Sequence, residues 1–148
     1  MRTVGDLVKG RAFYSVTSDE SVYDAVQRMA EKDIGAVPVL QASRLVGVFS
    51  ERDIMKRVVV EGRDVRSTLI RDVMTAEVIV ADATEEVEKV LKKMQKNRCR
   101  HMPVVSGDRV IGFLSLRDLL FADLEEKDAQ VQQLNTYVHY SPGNPSNT

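Results

Sequence analysis

The chain has 148 residues, 43% of them hydrophobic and 29% charged, with a formal net charge of −1. That length holds one compact unit or two small ones sharing a core, and the near-neutral balance gives no general pull toward nucleic acid or an anionic membrane. One cysteine excludes an intrachain disulfide and fits a reducing compartment. No stretch near the N-terminus is apolar enough for a signal peptide, and none approaches the ~20 residues of a membrane span, so a soluble, cytoplasmic protein is expected.

Taken in chain order, Val4-Gly5-Asp6-Leu7-Val8 reads as a helical turn and Phe13-Tyr14-Ser15-Val16 as a short extended segment. Val22, Ala25, Val26 and Met29 follow at the i, i+3, i+4, i+7 spacing of a helix with one buried face. Asp19 suits its cap and Glu20 its first turn. The runs Ala36–Leu40 and Leu45–Phe49, β-branched and separated by a turn at 41–44, predict a hairpin, and a second helix opens at Ser50. Residues 61–75 read as a linker ending in a helical turn at Leu69–Thr75.

The same order then returns. Val78-Ile79-Val80 is extended, Val87, Val90, Leu91 and Met94 mark a helix, with Thr84 as cap and Glu85-Glu86 in its first turn. Met102–Val105 and Val110–Leu114 predict a hairpin, and a helix opens at Ser115. Beyond it Leu120, Leu124, Lys127, Val131, Leu134 and Val138 alternate four- and three-residue spacings, the narrow stripe of one long amphipathic helix. Residues 141–148 carry no apolar pattern and are expected to be disordered. The expected division is 1–60, first repeat; 61–75, linker; 76–122, second repeat; 123–140, C-terminal helix; 141–148, tail.

The two copies superpose without a gap. Moved by 65 positions, residues 14–54 fall on 79–119, and ten of the 41 pairs are identical, among them Glu20/Glu85, Pro38/Pro103, Gly47/Gly112, Ser50/Ser115, Arg52/Arg117 and Asp53/Asp118. Two copies of this length are not a solenoid. They predict two half-domains that bury their apolar faces together, with function where the copies meet.

A tandem β-α-β-β-α unit, with a Pro-Val pair in its second strand, resembles the CBS domain, named after cystathionine β-synthase. The closing motifs Gly47-Val48-Phe49-Ser50-Glu51-Arg52-Asp53 and Gly112-Phe113-Leu114-Ser115-Leu116-Arg117-Asp118 carry the same resemblance. So do Arg71-Asp72-Val73-Met74-Thr75 and Arg100-His101-Met102-Pro103-Val104. It spans roughly residues 3–122 and implies an α+β fold: two pseudo-two-fold repeats packed through their sheets, plus the C-terminal amphipathic helix. It also implies a freestanding pair, a Bateman module, with no further domain attached.

Ser50-x-x-Asp53 and Ser115-x-x-Asp118 fit a capping box, although Asp is one methylene shorter than the usual Glu. The resemblance implies that each Asp accepts from a ribose diol and that Ser50 or Ser115 contacts ribose or phosphate. Arg52 and Arg117 oppose the helix dipole, and their recurrence in both copies points to phosphate. The resemblance adds Arg100 as a phosphate contact, whose counterpart Gly35 carries no charge. It also adds Thr17 and Ser18 in the turn beside adenine, and Val16, Val37, Met102 and Pro103 as apolar contacts. His101 is either a packed residue or one more contact. Cys99, whose counterpart is Ile34, reads as a small core residue. Lys89, Lys92, Lys93 and Lys96 lie opposite the apolar stripe and read as a solvated face. Two histidines and one cysteine match no metal-ligand spacing.

The expected function is a non-catalytic sensor that binds an adenine nucleotide (AMP, ATP or NAD, with S-adenosylmethionine possible) between the repeats and signals to a regulated protein by a change of shape or of partner affinity. A homodimer through the repeats and the C-terminal helix is expected, with no nucleic acid and no membrane as partner. The alternative is a ligand-free dimeric scaffold.

Overall fold

The computed structural model describes residues 2–139, with side chains to residue 134. The first repeat contains β1 (Val16–Thr17), α2 (Val22–Lys32), β2 (Ala36–Gln41), β3 (Arg44–Ser50) and α3 (Glu51–Asp53), which runs on into a π-helical stretch, Ile54–Val59. The second contains β4 (Ala81–Asp82), α5 (Val87–Asn97), β5 (His101–Ser106), β6 (Arg109–Ser115) and α6 (Leu116–His139). Two short helices lead into them, α1 (Val4–Val8) and α4 (Ile70–Val73). Each repeat has a three-stranded sheet in the order β1-β2-β3 or β4-β5-β6, with a parallel and an antiparallel pairing. Both hairpins slip register at the same place, between Val39 and Leu40 and between Val104 and Val105.

The first strand of each repeat lies further along the chain than its apolar residues suggest. It occupies residues 16–17 and 81–82, not 13–16 and 78–80. The Leu40 carbonyl accepts from the Ser18 N–H at 3.0 Å, so Leu40 and, two residues back, Pro38 face β1. Proline has no N–H to give, and the ladder starts only beyond it. Pro103 acts in the same way on β4.

The helix caps also differ from expectation. Ser21, not Asp19, caps α2, its hydroxyl accepting from Asp24 N–H at 3.1 Å; Glu86 stands at the N-cap of α5 without a side-chain bond. The identical pair Glu20/Glu85 turns back instead and accepts from the strand, from Thr17 N–H at 2.7 Å and Asp82 N–H at 2.9 Å. The C-terminal helix is not a separate element, because α6 runs unbroken from Leu116. The 141–148 tail and the Val138 side chain lie outside the described residues. Lys93 is not on a solvated face: its ammonium donates to the Val80 carbonyl at 3.1 Å and to Glu85 at 2.7 Å.

Two cores result, and the lead-in helices cross between them. Val4 and Val8 of α1 join Val87, Val90, Met94, Met102 and Leu114 of the second repeat. Ile70 and Val73 of α4 join Val22, Ala25, Met29, Val37 and Phe49 of the first. Backbone bonds fix both: Val4 N–H to Glu85 O and Ile70 N–H to Glu20 O, each 2.9 Å. The repeated glycines are the docking points. A Cβ on Gly47 would lie 2.6 Å from Met74 Sδ and 2.8 Å from the Thr75 carbonyl, and one on Gly112 would collide with the Val8 side chain.

Candidate functional site

A cleft of about 440 Å³ opens where the repeats meet. Its walls are Ser50–Asp53 with Gly35, Ala36 and Val48 from the first repeat, Thr75 and Glu77–Ile79 from the lead-in to the second, and Asn97–His101 from the turn between α5 and β5. Of the residues expected from sequence, Ser50, Arg52, Asp53, Arg100 and His101 come together here.

Asp53 anchors the first wall and is itself buried. Its short side chain does reach back to close the capping box, correcting the expectation from its length: Ser50 N–H donates to Oδ2 at 2.9 Å, and the Ser50 hydroxyl accepts from Asp53 N–H at 3.4 Å. The other oxygen, Oδ1, accepts from the Thr75 hydroxyl at 3.0 Å and has Arg57 Nε at 3.8 Å. Arg57 also donates to the Met74 carbonyl at 2.5 Å, which ties the π-helical stretch to the end of α4. Neither Thr75, which closes the Arg71–Thr75 motif, nor Arg57 was singled out as a site residue from sequence, because their positions in the other copy hold Gly10 and Ala122 and the repeat flagged neither.

Three guanidinium groups line the same cleft: Arg52, Arg98 and Arg100. None has a side-chain hydrogen bond or ion pair among the described residues. Arg98 is a residue the sequence reading missed. It is the left-handed C-cap of α5 (φ 53°), and its counterpart Asp33 plays the same backbone part at φ 55° with the opposite charge. Glu51, Glu77 and Asp53 supply carboxylates. The Glu51 carboxyl lies over Gly35, with Cδ 3.3 Å from where a Cβ would stand. An unpaired guanidinium beside open space suits phosphate or carboxylate; a carboxylate suits a hydroxyl or amino donor.

The related position in the second repeat is built differently. Ser115 N–H donates to Asp118 Oδ2 at 2.8 Å and the Ser115 hydroxyl accepts from Asp118 N–H at 3.0 Å. The outer oxygen is taken by Arg11, Nη2 to Oδ1 at 3.1 Å. Burial pushes the Asp118 carboxyl up, but the Ser115 N–H, the Arg11 guanidinium and the Ser115 hydroxyl outweigh it and hold it below its usual range. Arg117 is exposed. Arg11 lies ahead of the aligned window, opposite Ala76, so nothing in the repeat marked it.

His101 stacks on Phe113, ring centroids 5.5 Å apart and 7° from parallel. Burial pushes its imidazole pKa down, against the pull of Asp118 and Glu51. Cys99 is half-buried beside it, with its thiol pushed up by burial. The expected apolar contacts are placed elsewhere. Val16, Val37 and Met102 are sealed in the two cores, and Pro103 is buried in β5. Thr17 is exposed and bonds Glu20, while Ser18 is buried with its hydroxyl unpartnered among the described residues. Among those residues no group of His, Cys, Asp and Glu is arranged to hold a metal, and no helix is long and apolar enough to cross a membrane.

The duplicated fold and its central cleft define a class, and comparison with known proteins gives that class its name. The CBS domain family matches residues 4–60 and 70–125, and the chain belongs to that family. It is 34% identical over 148 residues to the CBS domain-containing protein CBSX3, mitochondrial, of Arabidopsis thaliana, covering 92% of this chain and 71% of that one. A solved structure of a protein with CBS domains from Burkholderia ambifaria MC40-6 is similar, with a TM-score of 0.77 and 34% identity over 83% of this chain and 94% of its own. The structure of CBSX2 in complex with AMP matches with a TM-score of 0.71 and 25% identity, over 86% and 99% of the two chains. CBS-domain proteins are regulatory modules.

Proposed function

We propose that the cleft between the repeats binds an adenine nucleotide, of the AMP, ATP or NAD type, and that occupancy alters how the protein engages a regulated partner. The observation that carries this reading is Asp53 with three unpartnered arginines in one cleft: a diol acceptor and Arg52 on one wall, and Arg98 and Arg100 as phosphate donors on the other. The AMP complex of CBSX2 supports it by similarity. The ligand acts by binding one arrangement of the walls more tightly than another; Asp53, Thr75 and Arg57 tie the first repeat to the lead-in of the second, so a diol that takes Asp53 Oδ1 competes with the Thr75 hydroxyl. Ser50 and Arg52 complete that wall, and Arg98, Arg100 and His101 form the facing one.

The protein is further proposed to act as a homodimer. Met55, Val59, Val60, Leu120 and Phe121 are exposed, Val60 to 76% and Phe121 to 66%. Their placement on the helices that follow β3 and β6 favours burial by a second copy over solvation.

The second reading is a ligand-free dimeric scaffold, favoured by the fact that both carboxylates already have internal partners. A thermal-shift panel of AMP, ADP, ATP, NAD and S-adenosylmethionine separates the two. Ligand at about 100-fold above its dissociation constant adds about 2.7 kcal/mol, a rise of several degrees in Tm. No response from any member of the panel rejects the sensor and leaves the scaffold.

A further inference from the structure

α6 outlasts the fold that supports it. Leu119 and Ala122 are buried, but every residue from Lys127 to Leu134 is exposed. Leu124, Val131 and Leu134 stand 61%, 54% and 65% exposed along one stripe. An unsupported helical stretch this short is marginal in water, and a seam of this kind is stabilised by a facing helix.

We infer that the seam of α6 pairs with α6 of a second copy of this chain, and that the two helices run antiparallel. Seam positions 120, 124, 127, 131, 134 and 138 are separated by four, three, four, three and four residues. That order reads the same in both directions, so reversing one helix keeps every layer matched. Charge then selects the direction. In a parallel pair Lys127 would face the partner's Lys127 in one layer, and Asp123 would lie beside the partner's Asp128 on both flanks; like charges there are unfavourable. In the antiparallel pair Lys127 lies opposite the partner's Val131, and Leu124 opposite the partner's Leu134. The Lys127 stem covers the valine while its ammonium stays at the helix edge, where Asp123 of its own helix already holds it at 2.9 Å. Asp123 then runs beside the uncharged part of the partner's helix beyond Ala129, and the one like-charge approach left is Asp128 with the partner's Asp128 beside the two-fold axis, against the three of the parallel pair.

This rests on the homodimer reading and not on the nucleotide one. The test uses the full chain with Cys99→Ser, carrying either Leu124→Cys or Leu134→Cys, under mild oxidation. Neither variant alone is expected to form a disulfide-linked dimer, whereas an equimolar mixture does. A link formed by Leu124→Cys alone, or no link in the mixture, overturns the antiparallel register. Because a seam cysteine can weaken pairing, sedimentation equilibrium of Lys127→Leu with Cys99 retained is read in parallel. Replacing the seam charge by leucine tightens the dimer about tenfold or more; an unchanged constant means the seam is not the contact. A chain that dimerises but gives no mixed disulfide fails this inference alone, whereas a wild-type monomer at tens of micromolar, on the order expected for a weak dimer, fails the homodimer reading with it.

Discussion

At the residue scale, the two acidic anchors have one job in common and one that differs. Asp53 and Asp118 each close a capping box with one oxygen, while the other oxygen accepts from the Thr75 hydroxyl, with Arg57 further off at 3.8 Å, in one repeat and directly from the cationic Arg11 in the other. Asp53→Ala and Asp118→Ala are therefore expected to cost stability, about 1 kcal/mol each for a lost cap, measured by urea denaturation. If the cleft holds a nucleotide, Asp53→Ala weakens it about ten- to a hundredfold, the worth of a hydrogen bond to a charged group. Calorimetry showing wild-type affinity would reduce Asp53 to its cap. His101 sets a pH dependence. Its folded pKa lies below its ordinary 6.5 because of burial, with Asp118 and Glu51 opposing and Arg100 assisting. The unfolded chain then binds the proton first, so stability falls as pH drops below that ordinary value and on through the folded one. His101→Gln should flatten the change in urea midpoint between about pH 7 and about pH 5. An unchanged slope would assign that dependence to the carboxylates.

At the element scale, the glycines of β3 and β6 are there for contact distance, not for backbone freedom. Gly47→Ala drives a methyl into the Thr75 carbonyl, which cannot swing aside as the Met74 side chain can. Overpacking of this kind costs about 1–3 kcal/mol, and a denaturant midpoint equal to wild type would show that α4 shifts freely. The element order was legible because the 3.6-residue stripes of Val22–Met29 and Val87–Met94 leave no other secondary structure. The start of β1 was not legible, because it depends on which way Pro38 faces. The cap of α2 was misread because Glu20 is drawn back to the Thr17 amide. The cleft was half legible. Ser50, Arg52, Asp53 and Arg100 were visible through the repeat or the family resemblance, whereas Thr75, Arg57, Arg98 and Arg11 reach their places through tertiary contacts that no spacing records. Val37 and Met102 were misplaced because an apolar residue in a strand next to a binding motif reads alike whether it faces the ligand or the core.

At the scale of the whole molecule, the cleft exists because two sheets of one design are set against each other, and the apolar spacing of Val4, Val8, Ile70 and Val73 could announce short helices but not which core they enter. Each lead-in helix precedes one repeat in the chain and completes the core of the other. A protease cut in the exposed stretch around Arg63 and Asp64 would thus yield two fragments, each lacking a piece of its own interior and carrying the missing piece of its neighbour. Neither fragment made alone is expected to fold, while the two mixed should reassemble with native-like circular dichroism; independent folding of either would show the exchange to be dispensable. The same exchange makes a lone repeat with its own lead-in a ready donor and acceptor to its twin, so an ancestor of half this length could have assembled as a mutually completed pair before the two genes became one.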